Sequence, residues 1–599
     1  MSNIQSATER IKNSLSYKLG FAILEHKKWH KRGYLTLIYK LYKIKKEHFR
    51  EQMLYKQIIK IFPQLTYSKL ESCSDYNESI KYKYHLSYML GEVLIHAHKT
   101  WYRGGYFKLH KNIQTVKMQY NLLKELSLNN VDISLENKEL LINNFEEIKD
   151  VLQTHKDYKP ILENIFHNFK FFLTNSTLIK EWLLSDDFYQ KYKKENHPYP
   201  SLLDPKKLNN DTEKINYKNI TAELAWEMNL PLPDKYDFIF ISSHGTGEKA
   251  FQEMLARCDG VKVLQKNKWY DNGKDRYRAF YKDLVIDCTA KKCIPILECN
   301  FLYYGKYLHM FGKKVPLICL VRDPIKMVAS VYNYKVIKDK QKLHFSNKNN
   351  NEVMFDNYFY TTTKSKSIID LNELKKRIIH QRTITSNMRF TYIAKTHIQN
   401  LKNMDKVYYI DSSEISASKA YLKLKEIGDI VGFSVPEDFN LINKISFTHY
   451  LRFIFDIDRP IIYTHQINPD LNLQIFIFHM YQQTERQDIT HLFNLQQYDS
   501  SMHNIFICTD TQDYDIIIHD EKILYEIRDN ILNFFNKINN HIAILRKEAI
   551  SEEDILKIYK EDKQTSDAFK KLIEDEFKDV LEKESMLKKW NHYLKFIKL

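Results

Sequence analysis

Beyond the proline break Pro231-Leu-Pro233, the hydrophobic pattern changes from long helical periodicity to short apolar runs separated by helical stretches. Phe238-Ile-Phe-Ile241, Leu284-Val-Ile-Asp287 and Leu317-Ile-Cys-Leu-Val321 are compact runs without polar alternation, as expected of strands buried on both faces. Between them, Glu248 to Arg257 and Ile294 to Phe311 read as helices. Strand, helix and strand at this spacing predict an α/β fold with a parallel sheet and crossover helices.

Two strand ends carry the chemistry. In Phe238-Ile-Phe-Ile-Ser-Ser-His-Gly-Thr-Gly-Glu-Lys-Ala-Phe251 a strand runs through a small, hydroxylated, glycine-containing loop directly into a helix. Such a loop turns consecutive backbone N–H groups toward the positive end of the helix dipole, where an anion is stabilised. Ser242, Ser243, Gly245, Thr246 and Gly247 are therefore the candidate phosphate cradle. The pattern is not a Walker A loop, because Lys249 is followed by Ala250. In Leu317-Ile-Cys-Leu-Val-Arg-Asp-Pro-Ile-Lys-Met-Val-Ala-Ser330 a second strand ends at Arg322. Asp323 is a suitable N-cap and Pro324 a suitable first helical residue. Ser330, almost two turns beyond the cap, returns to the same helix face, so the fork of Arg322 and the Ser330 hydroxyl can grip one phosphate.

The two elements, in this order, resemble the nucleotide-binding core of sulfotransferases that use 3'-phosphoadenylyl sulfate. That resemblance implies that the first loop holds the 5'-phosphosulfate, and that Arg322, Pro324 and Ser330, matching the family's Arg-x-Pro with a Ser eight residues after the Arg, hold the 3'-phosphate. Val331-Tyr-Asn-Tyr334 is similar to the family's aromatic continuation. Val407 to Glu414 and Leu422 to Phe433 are similar to its closing strand and helix. The likeness covers about Tyr236 to Phe433. In one departure, Ser243 stands where the family usually carries a Lys or Arg that stabilises charge on the departing phosphate. His244, Glu248 and Lys249 are the candidate catalytic residues nearest the loop, with Lys292 and His309 further off. The chain also resembles a bacterial branch of sulfotransferase-like proteins, which implies transfer of a sulfuryl group to a hydroxyl of a cell-surface saccharide or its lipid-linked precursor, without a metal. A non-catalytic nucleotide- or glycan-binding scaffold and a transferase using a sugar nucleotide are the alternatives.

The rest of the 599-residue chain is organised around this core. Its length predicts several domains. These are read as a basic helical region at 1–125, a helical connection at 126–232, the nucleotide-binding domain at 233–445, and C-terminal strands followed by helices at 446–599. The first region is duplicated. Leu15-Ser-Tyr-Lys-Leu-Gly20 recurs as Leu86-Ser-Tyr-Met-Leu-Gly91, and Lys27-Lys-Trp-His-Lys-Arg-Gly-Tyr34 as Lys99-Thr-Trp-Tyr-Arg-Gly-Gly-Tyr106. Gly33 and Gly105 are read as helix stops. Trp29, Tyr34, Trp101 and Tyr106 suit either a headgroup or sugar surface or, as large aromatics more often do, the packing of the two copies together. The loops that shape an acceptor pocket are expected within Lys335 to Thr363.

Charge is uneven: the net value is +16, and residues 1–125 hold 23 Lys and Arg against 9 Asp and Glu, an excess of 14. A basic surface confined to one region predicts a local anionic partner, such as the lipid head groups at the inner face of a membrane, an acidic glycan or nucleic acid, or else a solvated helix face. With no apolar leader after Met1 and no run of about 18 apolar residues, the expected location is cytoplasmic. The seven cysteines, without a Cys-x-x-Cys pair, read as reduced core residues, and the spacing of Cys288, Cys293 and Cys299 fits no zinc signature. Nucleic acid is not the expected partner.

Overall fold

The computed structural model describes residues 6–28, 33–243, 245–297 apart from 267, 269 and 271, 301–333, 335–337, 344–348, 358–360, 394–438 apart from 417, the single positions 442, 451 and 455, 460–479 and 485–599. The chain forms two compact units, Met1–Leu208 with Glu227–Leu230, and Asn209–Trp226 with Pro231–Leu599.

The described part of the first unit is helical. Its duplication is built on helices α1 (Leu15–Lys28), α2 (Tyr34–Ile61), α3 (Leu86–Lys99) and α4 (Leu109–Leu128). The repeated Leu-Ser-Tyr-x-Leu-Gly segments are the place where α1 crosses α3. A Cβ on Gly20 would lie 1.7 Å from the Ser87 carbonyl oxygen, and one on Gly91 would lie 1.7 Å from that of Ser16. Ser and Gly four residues apart share one helix face. The reciprocal pairing of Ser16 with Gly91 and Gly20 with Ser87 therefore relates the two copies by a pseudo-twofold axis. Only a residue without a Cβ permits this approach. Ser16 Oγ also donates to Glu92.

Two expectations are corrected in this unit. Gly105 is not the stop: α3 ends at Lys99, and Gly104, at φ +75°, closes the single turn Trp101–Arg103. Gly33 starts α2 rather than ending a helix. The second copy's aromatics do not pack the copies together either, since Trp101 and Tyr106 are exposed; Trp29 lies outside the described residues.

The second unit is α/β and contains two five-stranded sheets. Its strands are β1 (Phe238–Ser242), β2 (Val261–Val263), β3 (Lys291–Leu297), β4 (Val315–Val321), β5 (Lys335–Ile337), β6 (His344–Ser346), β7 (Tyr358–Tyr360), β8 (Met404–Asp411), β9 (Ile461–Asn468), β10 (Leu471–His479), β11 (Gln487–Asp488) and β12 (Ile505–Thr509). The first sheet is parallel throughout, in the order β2-β3-β1-β4-β8. Phe238 and Phe240 of β1 point into a core shared with α5 (Glu248–Ala256) and α9 (Ala420–Val431), where Phe251, Met254, Leu424 and Ile427 are buried. α6 (Gly273–Val285), α7 (Tyr304–His309) and α8 (Pro324–Tyr332) complete the connections near the site.

The sequence places the second strand too early. Leu284 belongs to α6, where Tyr277, Phe280, Tyr281 and Leu284 are buried at helical spacing. The strand is β3, which runs into the start of the stretch that reads as helix, and only α7 is helical between Ile294 and Phe311 among the described residues. Pro295 misdirects the reading because proline is rare in central strands. Here it costs nothing: the Cys293 carbonyl faces β2 by accepting the Leu264 N–H, so Pro295, two residues on, faces the same side, where β2 has already ended.

The second sheet has the order β11-β12-β10-β9-β6, antiparallel except that β6 lies parallel to β9. A long helix, α10 (Glu521–Glu548), buries Ile527, Ile531, Phe534, Phe535 and Ile538 against its core. β6 comes from the segment expected to supply acceptor loops, and His344 and Thr464 Oγ1 are 2.7 Å apart. Part of that segment is therefore a structural strand, while β5 and β7 form a two-stranded antiparallel ribbon. Of the cysteines, Cys258, Cys293, Cys319 and Cys508 are buried, Cys288 is exposed, and Cys299 lies outside the described residues.

Candidate functional site at the carboxyl edge of the parallel sheet

β1 lies between β3 and β4, and the connections leaving β1 and β4 run toward opposite edges of the sheet, β1 to β2 and β4 to β8. That reversal opens a crevice at the carboxyl ends of these two strands, the usual ligand position in an open parallel sheet. Ser242–Gly247 leaves β1 there, and Arg322 leaves β4 there. Gly245 (φ +83°) and Gly247 (φ +98°) both adopt the left-handed conformation that gives the loop its turn. Gly247 is the N-cap of α5, and no side chain among the described residues caps that helix, so a residue with an acceptor side chain has been forgone at a helix start. Ser243 and Thr246 are buried, and Thr246 Oγ1 donates to the Ser243 carbonyl at 2.8 Å. The hydroxyl of Ser242 is buried with no hydrogen-bond partner among the described residues. Glu248 is buried at the start of α5, Lys249 is partly exposed, and His244 lies outside the described residues.

The structure brings the two sequence motifs together across 77 residues. Arg322 Nη1 donates to the Gly245 carbonyl at 2.7 Å. Ser330 Oγ, on the face of α8 turned to the loop, would lie 3.6 Å from a Cβ on Gly245. A guanidinium has five N–H donors, so this one bond leaves capacity for a ligand. Burial lowers the Arg322 pKa from its ordinary value, and Glu552, Asp323, Asp411 and Glu248 oppose that shift. The cation therefore sits among carboxylates.

Sequence reading missed what roofs this edge. Asp323 Oδ1 accepts the Ile325 N–H at 3.0 Å, as an N-cap of α8 should. Its Oδ2 accepts the N–H groups of His592 (3.0 Å) and Tyr593 (3.2 Å), at the start of helix α12 (Asn591–Phe596). One carboxylate thus joins two helix N-termini, and burial raises its pKa despite these bonds. Trp590 Nε1 donates to Asp411 Oδ2 at the end of β8 (2.7 Å). The Asn333 side chain exchanges two hydrogen bonds with the backbone of Ile550, at 2.8 and 2.9 Å, just before α11 (Glu552–Glu561). The C-terminal helices are thereby seated on α8 and on the ends of β4 and β8.

Lys292 and His309 are not near this edge. Lys292, at the amino end of β3, is buried and donates to the carbonyls of Ile286 (2.5 Å) and Asp283 (3.3 Å) at the close of α6. His309 pairs with the Gly305 carbonyl within α7, which precedes the amino end of β4. Both serve the opposite end of the sheet.

Two family models match. A domain of unknown function (DUF8374) covers residues 1–122, the duplicated helices. A protein family of unknown function (DUF2972) covers residues 409–599, from within β8 through α9, strands β9 to β12 of the second sheet and the C-terminal helices. Neither includes Ser242 to Ser330. No curated protein and no solved structure matches the chain.

Proposed function

We propose that the second unit binds a phosphate-bearing adenine nucleotide at the carboxyl edge of its parallel sheet, and that the protein is a sulfotransferase-like enzyme using 3'-phosphoadenylyl sulfate as co-substrate. The observation that carries this reading is the convergence of the two motifs: Arg322 bonded to Gly245, and Ser330 facing that glycine, at the point where the strand order reverses. The N–H groups at the uncapped start of α5, the unpaired Ser242 hydroxyl and the remaining donors of Arg322 supply positive ends for phosphate oxygens.

In the proposed reaction a hydroxyl oxygen of a surface saccharide, or of its lipid-linked precursor, attacks sulfur. The bond from sulfur to the bridging phosphate oxygen breaks, and adenosine 3',5'-bisphosphate leaves. Glu248 and His244 are the proposed proton acceptors, and Lys249, the second residue of α5, the proposed stabiliser of the leaving phosphate in the position where Ser243 supplies no charge.

Ser243, standing where the resembled family carries a Lys or Arg, favours a second reading, in which the nucleotide is bound but no group is transferred. Transfer of radiolabelled sulfate from the donor to a cell-extract glycan separates the two readings. Titration with uridine and guanosine diphosphate sugars tests the class of nucleotide: binding of either, with no response to adenosine 3',5'-bisphosphate, overturns both.

A further inference from the structure

The two copies of the duplication share a crossing but not an outer surface. Leu35, Ile38, Tyr39, Tyr42, Phe49 and Met53 of α2 are each between 51% and 82% exposed. At 100° per residue these six fall within about 60° of one line along the helix, a continuous apolar and aromatic stripe. In the second copy, 72 residues on, the positions of Ile38, Tyr39, Tyr42, Phe49 and Met53 are His110, Lys111, Gln114, Asn121 and Glu125 on α4. The stripe is therefore not a requirement of the repeat's own packing.

Basic residues surround it. α2 carries seven Lys and Arg against two Glu, with Lys43, Lys46 and Arg50 within or beside the stripe. The exposed turn holding Trp101 and Phe107 adjoins the same helix, since the His98 ring lies 2.7 Å from Lys45 Nζ and 2.9 Å from the Tyr106 hydroxyl. No helix among the described residues is long and apolar enough to cross a membrane. A second copy of the chain would bring two such basic faces together, and their repulsion opposes pairing. A surface that offers negative charge above an apolar layer satisfies both features.

We propose that α2 is an interfacial helix that lies along an anionic lipid bilayer, with Tyr39, Tyr42, Phe49 and Met53 entering the boundary between headgroups and acyl chains. Lys43, Lys46 and Arg50 then extend their apolar stems along the stripe and place their charges among lipid phosphates. At about 1.5 Å per residue the stripe from Leu35 to Met53 gives a contact roughly 27 Å long.

The test is co-sedimentation of the full chain with phosphatidylcholine vesicles, with and without phosphatidylglycerol. Binding is expected to require phosphatidylglycerol and to fall with added salt. The pair Tyr42→Ser with Phe49→Ser is expected to weaken it about tenfold or more, and Lys43→Gln with Lys46→Gln and Arg50→Gln to remove its salt dependence. The pair Gln114→Ser with Asn121→Ser, at the matching positions of α4, is expected to change nothing. Equal recovery on the two kinds of vesicle, or undiminished binding by the Tyr42 and Phe49 pair, overturns the proposal. A dimer in light scattering that the same pair dissociates assigns the stripe to a second copy instead.

Discussion

Gly20 and Gly91 in the first unit and Gly245 and Gly247 in the second answer two different physical demands. The first pair has ordinary helical surroundings and no room: a Cβ would fall 1.7 Å from a backbone oxygen of the facing helix. The second pair has room, with nothing among the described residues closer than 3.6 Å to either Cβ position, but its φ angles of +83° and +98° disfavour any side chain. Glycine that closes a helix crossing is architecture. Glycine that bends a strand end so that its N–H groups face a crevice, while neighbouring space is left open, is what a ligand site needs.

Substitution separates the two uses. Gly91→Ala should have the largest effect on folding, because the Ser16 backbone it meets cannot turn aside as a side chain would. The expected loss lies at or above the top of the range of about 1–3 kcal/mol for overpacking, read by denaturant unfolding, with nucleotide affinity unchanged. Gly245→Ala should cost less, about 1–2 kcal/mol for a left-handed alanine, yet abolish nucleotide binding. Equal loss of stability and of binding in both variants would erase the distinction. Ser330→Ala should change stability by less than about 0.5 kcal/mol and weaken nucleotide binding about tenfold, the worth of one hydrogen bond to a charged group.

The smallest effect concerns pH in the first unit. His155 is buried, its Nε2–H donating to the Leu183 carbonyl at 2.9 Å and its Nδ1 buried without a partner among the described residues. Burial lowers its pKa, outweighing the bond to Leu183. A histidine whose folded pKa is lowered binds its proton preferentially in the unfolded chain, so its contribution is present above the unfolded value near 6.5 and declines as pH falls below it. Protection of peptides around His155 against hydrogen exchange, taken relative to the unstructured chain at the same pH, should fall between pH 7 and pH 5, and His155→Phe should flatten that dependence. An unaltered profile in the variant would remove His155 as its source.

Much of the parallel sheet was legible because β1 and β4 are unbroken apolar runs and Asp323-Pro324 marks a helix start. β3 was not, because Leu284 continues a buried helical face while Pro295 disguises a strand that has lost one neighbour. The cradle and the Arg322 and Ser330 pair were legible as local motifs, and the parallel pairing of β1 with β4 sets them side by side. The roof was not legible: Asp323 meets His592 across 269 residues and Asp411 meets Trp590 across 179, and no local periodicity encodes such pairs. Of the carboxylates that act on Arg322, Asp323 is its chain neighbour, whereas Glu248, Asp411 and Glu552 come from distant parts of the sequence. The aromatic turn at Trp101 was misjudged because burial is the common fate of a repeated tryptophan.

The proposed nucleotide site is tested most directly by calorimetric titration of the full chain with adenosine 3',5'-bisphosphate, alongside Ser330→Ala and Gly245→Ala. Saturable binding at one site, weakened about tenfold by the serine variant and lost in the glycine variant, is the predicted result. Absence of binding by the unaltered chain, or equal affinity in all three proteins, would contradict it.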